Sequence, residues 1–285
     1  YPDGGGKPEV LDIPAGEMAK AEKLQGELIE KAAESDESLM EAFFENGSLT
    51  EEQLENGLKS GIISRGLFPV FCLSAKHNKG VGRLMEFICS SAPAPDEMPA
   101  VKTVGGKELK CNAADPACLR IFKISIEEHL GEIAFFKVYG GEIFEAMDLV
   151  NSANSGKERI PQLLLVAGKK REKIEKVCAG DIAATIKLKS TRTGDTLNSA
   201  KNADDVIVPI AFPAPKISMA IKAKNSGDDE KLGARLNEMH KVDQTLLVEY
   251  SKELKQVIIK GQGELHLNIA KWHLEHLDKI AVDFI

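Results

Sequence analysis

Apolar residues in the middle of the chain recur at every second position. Leu119 to Ile126 alternates apolar with polar or small residues, and Glu132 to Tyr139 is rich in β-branched and aromatic side chains. Gly140-Gly141 punctuates the series, and Glu158 to Ala167 follows a polar loop. Lys173 to Val177 leads to the turn Ala179-Gly180-Asp181, Ile182 to Leu188 is a further run, and Thr193-Gly194-Asp195-Thr196 closes the set. Period-two alternation gives each strand one face for a core and one for solvent. Short strands with a turn every ten residues or so predict a small antiparallel barrel or a sandwich. Closure into a barrel is favoured because it leaves no unpaired edge.

The flanks change period. Met18, Ala21, Leu24, Leu28, Ile29 and Ala32 step by threes and fours, which predicts a helix from Gly16 to Glu34, continued from Ser38 to Phe44. Thr50, with Gln53 three residues on, predicts the start of a helix running to Ser60. Glu9 to Ile13 reads as a short strand after the turn-rich Tyr1–Pro8, and Leu67 to Leu73 as a buried strand of a parallel sheet. Ser74-Ala75-Lys76 and His77-Asn78-Lys79-Gly80 would be the loop at that strand's carboxyl end, before a helix with Val81, Leu84, Met85 and Ile88 on one face. That loop position is where α/β folds bind ligands. Ala92 to Ala117 holds four prolines and no periodicity, and predicts a linker. After Phe212-Pro213-Ala214-Pro215, the order is strand Ile217–Ile221, helix Asp228–His240, strands Thr245–Tyr250 and Gln256–Ile259, helix Glu264–His276, and a strand within Lys279–Ile285. That order is the split βαβ of ferredoxin-like domains. The fold class is therefore α/β, then β, then α+β. The expected divisions are residues 1–92, a linker at 93–118, a barrel at 119–212 and a final domain at 213–285.

Charge separates the same parts. Of the 285 residues, 1–100 hold 9 Lys and Arg against 18 Asp and Glu, whereas 101–285 hold 28 against 26. The front is an acidic helical module, read either as solvated faces or as a docking surface for a basic or helical partner. No global basic excess marks a nucleic-acid binder, although local clusters can still bind phosphate. Five scattered cysteines without a C-x-x-C pair predict reduced thiols and no zinc site. The absence of a long apolar run and of a leader predicts a soluble, cytoplasmic chain with no membrane partner.

Several segments carry a resemblance. Gly261-Gln262-Gly263-Glu264-Leu265-His266-Leu267 resembles the G-x-G-E-L-H-L signature in the third domain of translation elongation factor G. Ala179-Gly180-Asp181-Ile182 and Thr191-Arg192-Thr193-Gly194-Asp195-Thr196-Leu197 resemble the A-G-D-I and T-T-G-D-T-L segments of its second domain. Phe212-Pro213-Ala214-Pro215-Lys216-Ile217-Ser218 is similar to its F-P-x-P-V-I-S junction, and Ser74-Ala75 with Asn78-Lys79-Gly80-Val81 to its S-A-F-x-N-K-G-V. The resemblance implies an internal portion of a ribosomal translocase. It would comprise the rear of a P-loop GTPase domain with an acidic helical insert, a translation-factor barrel and a ferredoxin-like third domain. It implies the ribosome as partner, through ribosomal RNA and proteins, with the large-subunit stalk a candidate for the acidic insert, and a monomeric factor. Two alternatives stand beside it: a non-catalytic paralogue, and a ribosome-protection factor, which the insert disfavours.

The resemblance also implies GTP and Mg²⁺ for the parent protein, but this chain has no G-x-x-x-x-G-K-[ST] loop. Asn78-Lys79 is followed two residues on by Val81, so N-K-x-D is absent too. Ser74, Ala75 and Lys76 would supply one wall of a guanine site, and the chain alone is expected neither to hold GTP nor to hydrolyse it. Lys169, Lys170 and Arg171, with Lys173, form the densest basic cluster, read as a solvated hairpin tip or, with Arg192, as an RNA contact. His273 and His276 lie three apart on one helix, but no third ligand is evident and no metal is expected. Glu264 is read as an acid favoured by the helix N-terminus, and His266 as a packing residue between domains. No constellation for nucleophilic catalysis is present.

Overall fold

The computed structural model describes residues 8–127 and 131–285. The turn-rich reading of Tyr1–Pro8 therefore falls almost wholly outside the described residues. Contacts divide the chain into two compact units, Tyr1–Pro99 and Ala100–Ile285.

The first unit is helical: α1 (Met18–Ala33), α2 (Glu37–Asn46), α3 (Glu51–Ile63) and α4 (Val81–Ser91). Local chemistry sets the helix ends. The Asp36 carboxylate accepts from Ser38 N at 2.9 Å, and Gly47 ends α2 at φ +70°. Thr50 and Gln53 make the reciprocal capping box at 2.9 and 3.2 Å. α1 meets α3 closely because Gly57 has no side chain: a Cβ there would lie 2.7 Å from Ala32 O.

Two sequence expectations fail here. Glu9–Ile13 and Leu67–Leu73 join no strand, and the described residues of this unit hold no strand ladder. Val70 is 90% exposed and Phe68 77%. Apolar, β-prone residues make a strand only when a neighbouring strand takes up their N–H and C=O groups. Among the described residues the only bridge nearby is local, between Ser74 and Lys79.

The second unit opens with a hairpin, β1 (Val101–Lys102) and β2 (Glu108–Leu109). The linker expected over residues 93–118 is tied down here: Val104 N donates to Val206 O and Val208 N to Lys102 O. The strands that follow are β3 (Cys118–Glu127), β4 (Gly131–Gly140), β5 (Glu142–Phe144), β6 (Asp148–Asn151), β7 (Gly156–Arg159), β8 (Leu163–Ala167), β9 (Lys170–Ile174), β10 (Lys176–Cys178), β11 (Ile182–Ile186) and β12 (Thr196–Asn198). Eight of them form an antiparallel sheet in the order β7-β6-β12-β3-β4-β11-β8-β9, while β5 pairs with β10. The expected run Glu158–Ala167 breaks at Pro161, which has no N–H to give the ladder.

The sheet curls around one core, in which Leu119, Ile121, Phe136, Ile143, Leu149 and Leu163 are all at most 1% exposed. Closure as one continuous ladder was the expectation. Among the described residues no ladder joins β7 to β9, so the hydrogen-bonded sheet is open between these two strands. Both end strands are heavily charged, Gly-Lys-Glu-Arg and Lys-Arg-Glu-Lys-Ile, which blunts an edge against pairing with other chains.

The last part is β13 (Ile217–Ala223), α5 (Asp229–Val242), β14 (Leu247–Ser251), β15 (Gln256–Gly261), α6 (Glu264–His276) and β16 (Val282–Phe284). Its antiparallel sheet runs β14-β15-β13-β16, the split βαβ order that the alternation of periods predicts. Leu232 and Leu236 of α5 and Leu267 and Leu274 of α6 are buried with Ile221 and Ile259 of the sheet.

Candidate functional site

The Ser74–Lys79 segment is a turn closed on itself. Ser74 N donates to Lys79 O at 2.9 Å and Lys79 N to Ser74 O at 3.0 Å. Asn78 (φ +49°) and Gly80 (φ +74°) take left-handed conformations. A Cβ on Gly80 would lie 3.1 Å from Cys72 O, so the turn folds tightly back on the preceding segment. Ala75 and Lys76 are exposed and Ser74 is half-buried.

The basic cluster sits where β8 turns into β9, and its cations are unequal. Arg171 pairs with Glu127, and Lys173 with Glu145 at 2.8 Å. Lys169 and Lys170 are exposed and make no ion pair among the described residues.

Arg192 lies elsewhere, on the loop joining β11 to β12, and a buried acid builds that loop. Glu158 on β7 is 1% exposed. Its carboxylate accepts from Lys189 N at 2.9 Å, Ser190 N at 2.8 Å, the Ser190 hydroxyl at 3.2 Å and the Thr191 hydroxyl at 2.9 Å. Burial pushes the carboxyl up, but the two N–H groups and two hydroxyls outweigh it, so its pKa lies below the ordinary value. A second layer continues the network. Asn151, fully buried, donates to Asp195 at 2.7 Å, and the same Asp195 oxygen accepts from Arg192 N at 2.8 Å. These bonds hold a backbone with positive φ at Lys187 (+58°) and Gly194 (+96°). Sequence reasoning found Arg192 but missed Glu158. The available signal was an acid at an inward position of a short strand.

The Gly261–Leu267 segment connects three elements. A Cβ on Gly261 would lie 2.8 Å from Leu267 Cδ2 and 2.9 Å from His266 Nδ1, so only glycine fits there. Gly263 is extended with open space around it, and its role is not steric. Glu264 is exposed in the first turn of α6, where its charge suits the helix N-terminus; no side chain caps the helix.

His266 has a defined tautomer. Gln262 N–H donates to Nδ1 at 3.1 Å, so Nδ1 carries a lone pair and Nε2 must hold the proton it gives to Asp243, 3.0 Å away. Burial pushes the Asp243 carboxyl up, but the Thr245 hydroxyl and N–H, and then His266, bring it below its usual value. The ring thus ties the start of α6 to the end of α5. Gln262, another residue the sequence reading passed over, reaches the junction: its Nε2 lies 3.0 Å from Pro213 O and 3.2 Å from Ala214 O. Lys216 N adds a bond to Gly261 O at 2.8 Å.

Among the described residues two bonds cross from the barrel to α5, Lys241 Nζ to Glu132 at 2.5 Å and the Thr193 hydroxyl to Lys241 O at 3.3 Å. Beside them, a cleft of about 440 Å³ is lined by Ser125 and Ile126 of β3, by Val242 and Asp243 at the end of α5, and by His266 and Ile269 of α6. His273 and His276 both pack on Trp272, with ring centroids 5.5 and 4.9 Å away. Among the described residues no group of three or more His, Cys, Asp or Glu side chains is placed to hold a metal. Nor is any described helix long and apolar enough to cross a membrane.

Comparison with known proteins places these parts. A family model described as "Elongation factor G domain 2" matches residues 116–200, and one described as "Elongation Factor G, domain III" matches 212–284. A crystal structure of a protein from Thermus thermophilus superimposes on the whole chain with a TM-score of 0.79 at 26% sequence identity. The chain spans 41% of that protein's length.

Proposed function

This chain belongs to the elongation factor G family, and on that footing we propose that it is the docking and relay portion of a GTP-driven ribosomal translocase. In this reading residues 119–212 grip small-subunit ribosomal RNA. Residues 213–285 pass movement onward through the Pro213–Pro215 junction. The acidic helices within residues 1–92 meet ribosomal proteins, the large-subunit stalk among them. GTP and Mg²⁺ are held by parts of the parent protein other than these residues, with Ser74, Ala75 and Lys76 contributing one wall beside the base. The factor works as a cytoplasmic monomer.

The observation that best supports a relay is the Gln262 clamp. One side chain of the third domain holds two carbonyls of the junction, while its backbone N–H orients His266. A displacement of the barrel is thereby passed to the start of α6 through hydrogen bonds rather than through a loose tether. Co-sedimentation of the chain with intact ribosomes tests docking. Saturable, salt-sensitive association is expected, and its absence at low salt contradicts the reading. Titration calorimetry with GTP and Mg²⁺ should show no micromolar binding to the chain alone.

A further inference from the structure

We propose that residues 187–195, together with Lys157, form a phosphodiester-binding surface whose shape is set by the buried Glu158. The proposal rests on the reading above that the barrel meets ribosomal RNA. It assigns the contact to a loop distinct from the basic hairpin tip.

Lys187, Lys189 and Arg192 fall within six residues, are exposed, and make no side-chain ion pair among the described residues. Lys157, also exposed and unpaired among the described residues, is the neighbour of Glu158, whose carboxylate binds the loop. Such a concentration of unpaired cations is ordinarily diluted on a protein surface by nearby acids. Here the two acids bonded to the loop are engaged by it, Glu158 from a buried position and Asp195 from a half-buried one. Glu158 spends its oxygens on Lys189 N, Ser190 N and two hydroxyls, and Asp195 spends one on Asn151 and Arg192 N. Four cations face outward against two carboxylates committed to the backbone.

The loop is also preorganised. It includes a lysine at φ +58°, a conformation unfavourable for a residue with a side chain. The Glu158 network holds it there. Because Glu158 already takes the N–H groups of Lys189 and Ser190, those two donors are closed to a ligand and the long cationic side chains are the groups left to meet it. That suits the spaced charges of a nucleic-acid backbone, bound with release of its counterions. Glu158 is a positioning residue: it touches no ligand and acts through the loop.

The test compares the full chain with Lys187→Gln/Lys189→Gln/Arg192→Gln, Lys169→Gln/Lys170→Gln and Glu158→Gln. Binding to small ribosomal subunits, and to their protein-free RNA, is measured over about 50 to 200 mM salt. The triple variant should lower the slope of log affinity against log salt by about two to three on both probes. Glu158→Gln, whose amide N–H would face the N–H donors of the loop, should lower it by about one or more. An unchanged slope in the triple variant overturns the proposal. So does a loss confined to intact subunits, which would identify an acidic protein surface as the partner. Wild-type binding without salt dependence would instead sink the RNA-docking reading itself. If Glu158→Gln fails to fold, the triple variant still decides, because it alters only exposed side chains.

Discussion

The hairpin tip at Lys169–Lys173 and the loop at Lys187–Arg192 look alike as strings of basic residues, yet they are built by opposite means. At the tip, four cations stand against three acids, and two of the four are spent on Glu127 and Glu145. The tip occupies an edge strand, where lysines already serve to discourage pairing. In the loop the acids are bound to the backbone, Glu158 from a buried position, and the cations are left outward. A dense run of charge in sequence therefore says less about a binding surface than where the neighbouring carboxylates point.

The contrast is most sharply broken by removing the buried acid. Glu158→Ala should cost about 3 to 5 kcal/mol, because it strands buried donors and hydroxyls. Arg171→Gln, which breaks one partly exposed pair, should cost about 0.2 to 1 kcal/mol. Denaturant melts of the two variants measure the difference, and equal costs would erase the distinction.

Acid should act on the same asymmetry. Glu158 and Asp243 both have native pKa values below their ordinary ones. The stability they contribute is complete above the unfolded carboxyl range, about pH 4, and is lost as pH falls through the depressed native values. Hydrogen exchange should show residues 187–195 opening in that window before residues 168–173 change.

A smaller effect is expected at the junction. Gln262→Ala removes two hydrogen bonds to exposed carbonyls and should cost about 1 kcal/mol, with faster exchange at Lys216. No change at Lys216 would remove the clamp from the account.

Much of the fold was legible in sequence because its periods differ. The third domain alternates at two in β13 and β15 and at three to four in α5 and α6. α5 buries Leu232 and Leu236 as its pattern marks, whereas the stripe Leu265, Ile269, Trp272 and Leu277 expected to face the core from α6 is exposed, and Leu267, Ala270 and Leu274 are buried instead. Of the barrel strands β3, β4 and β11 were legible. Pro161 splits one expected run, the expected run Lys173–Val177 spans the break between β9 and β10, and β5 and β6 lie where only a turn and a polar loop were expected. Leu67–Leu73 misled because its composition specifies a strand only if a partner strand is supplied, which composition cannot state. The loop network was hidden for a different reason. Glu158 lies 31 to 33 residues from the groups it binds, and its flanking Lys157 and Arg159 make it read as one more surface charge. Arg192 was legible because it lies in the motif segment Thr191–Leu197, whereas nothing local marks the acid that positions its loop.

Hydrogen exchange of the full chain, free and bound to small ribosomal subunits, addresses the docking surface most directly. The account predicts slower exchange across residues 187–195 on binding, at least as large as any change at 168–173. Protection confined to the hairpin tip, or none in either segment, would contradict it.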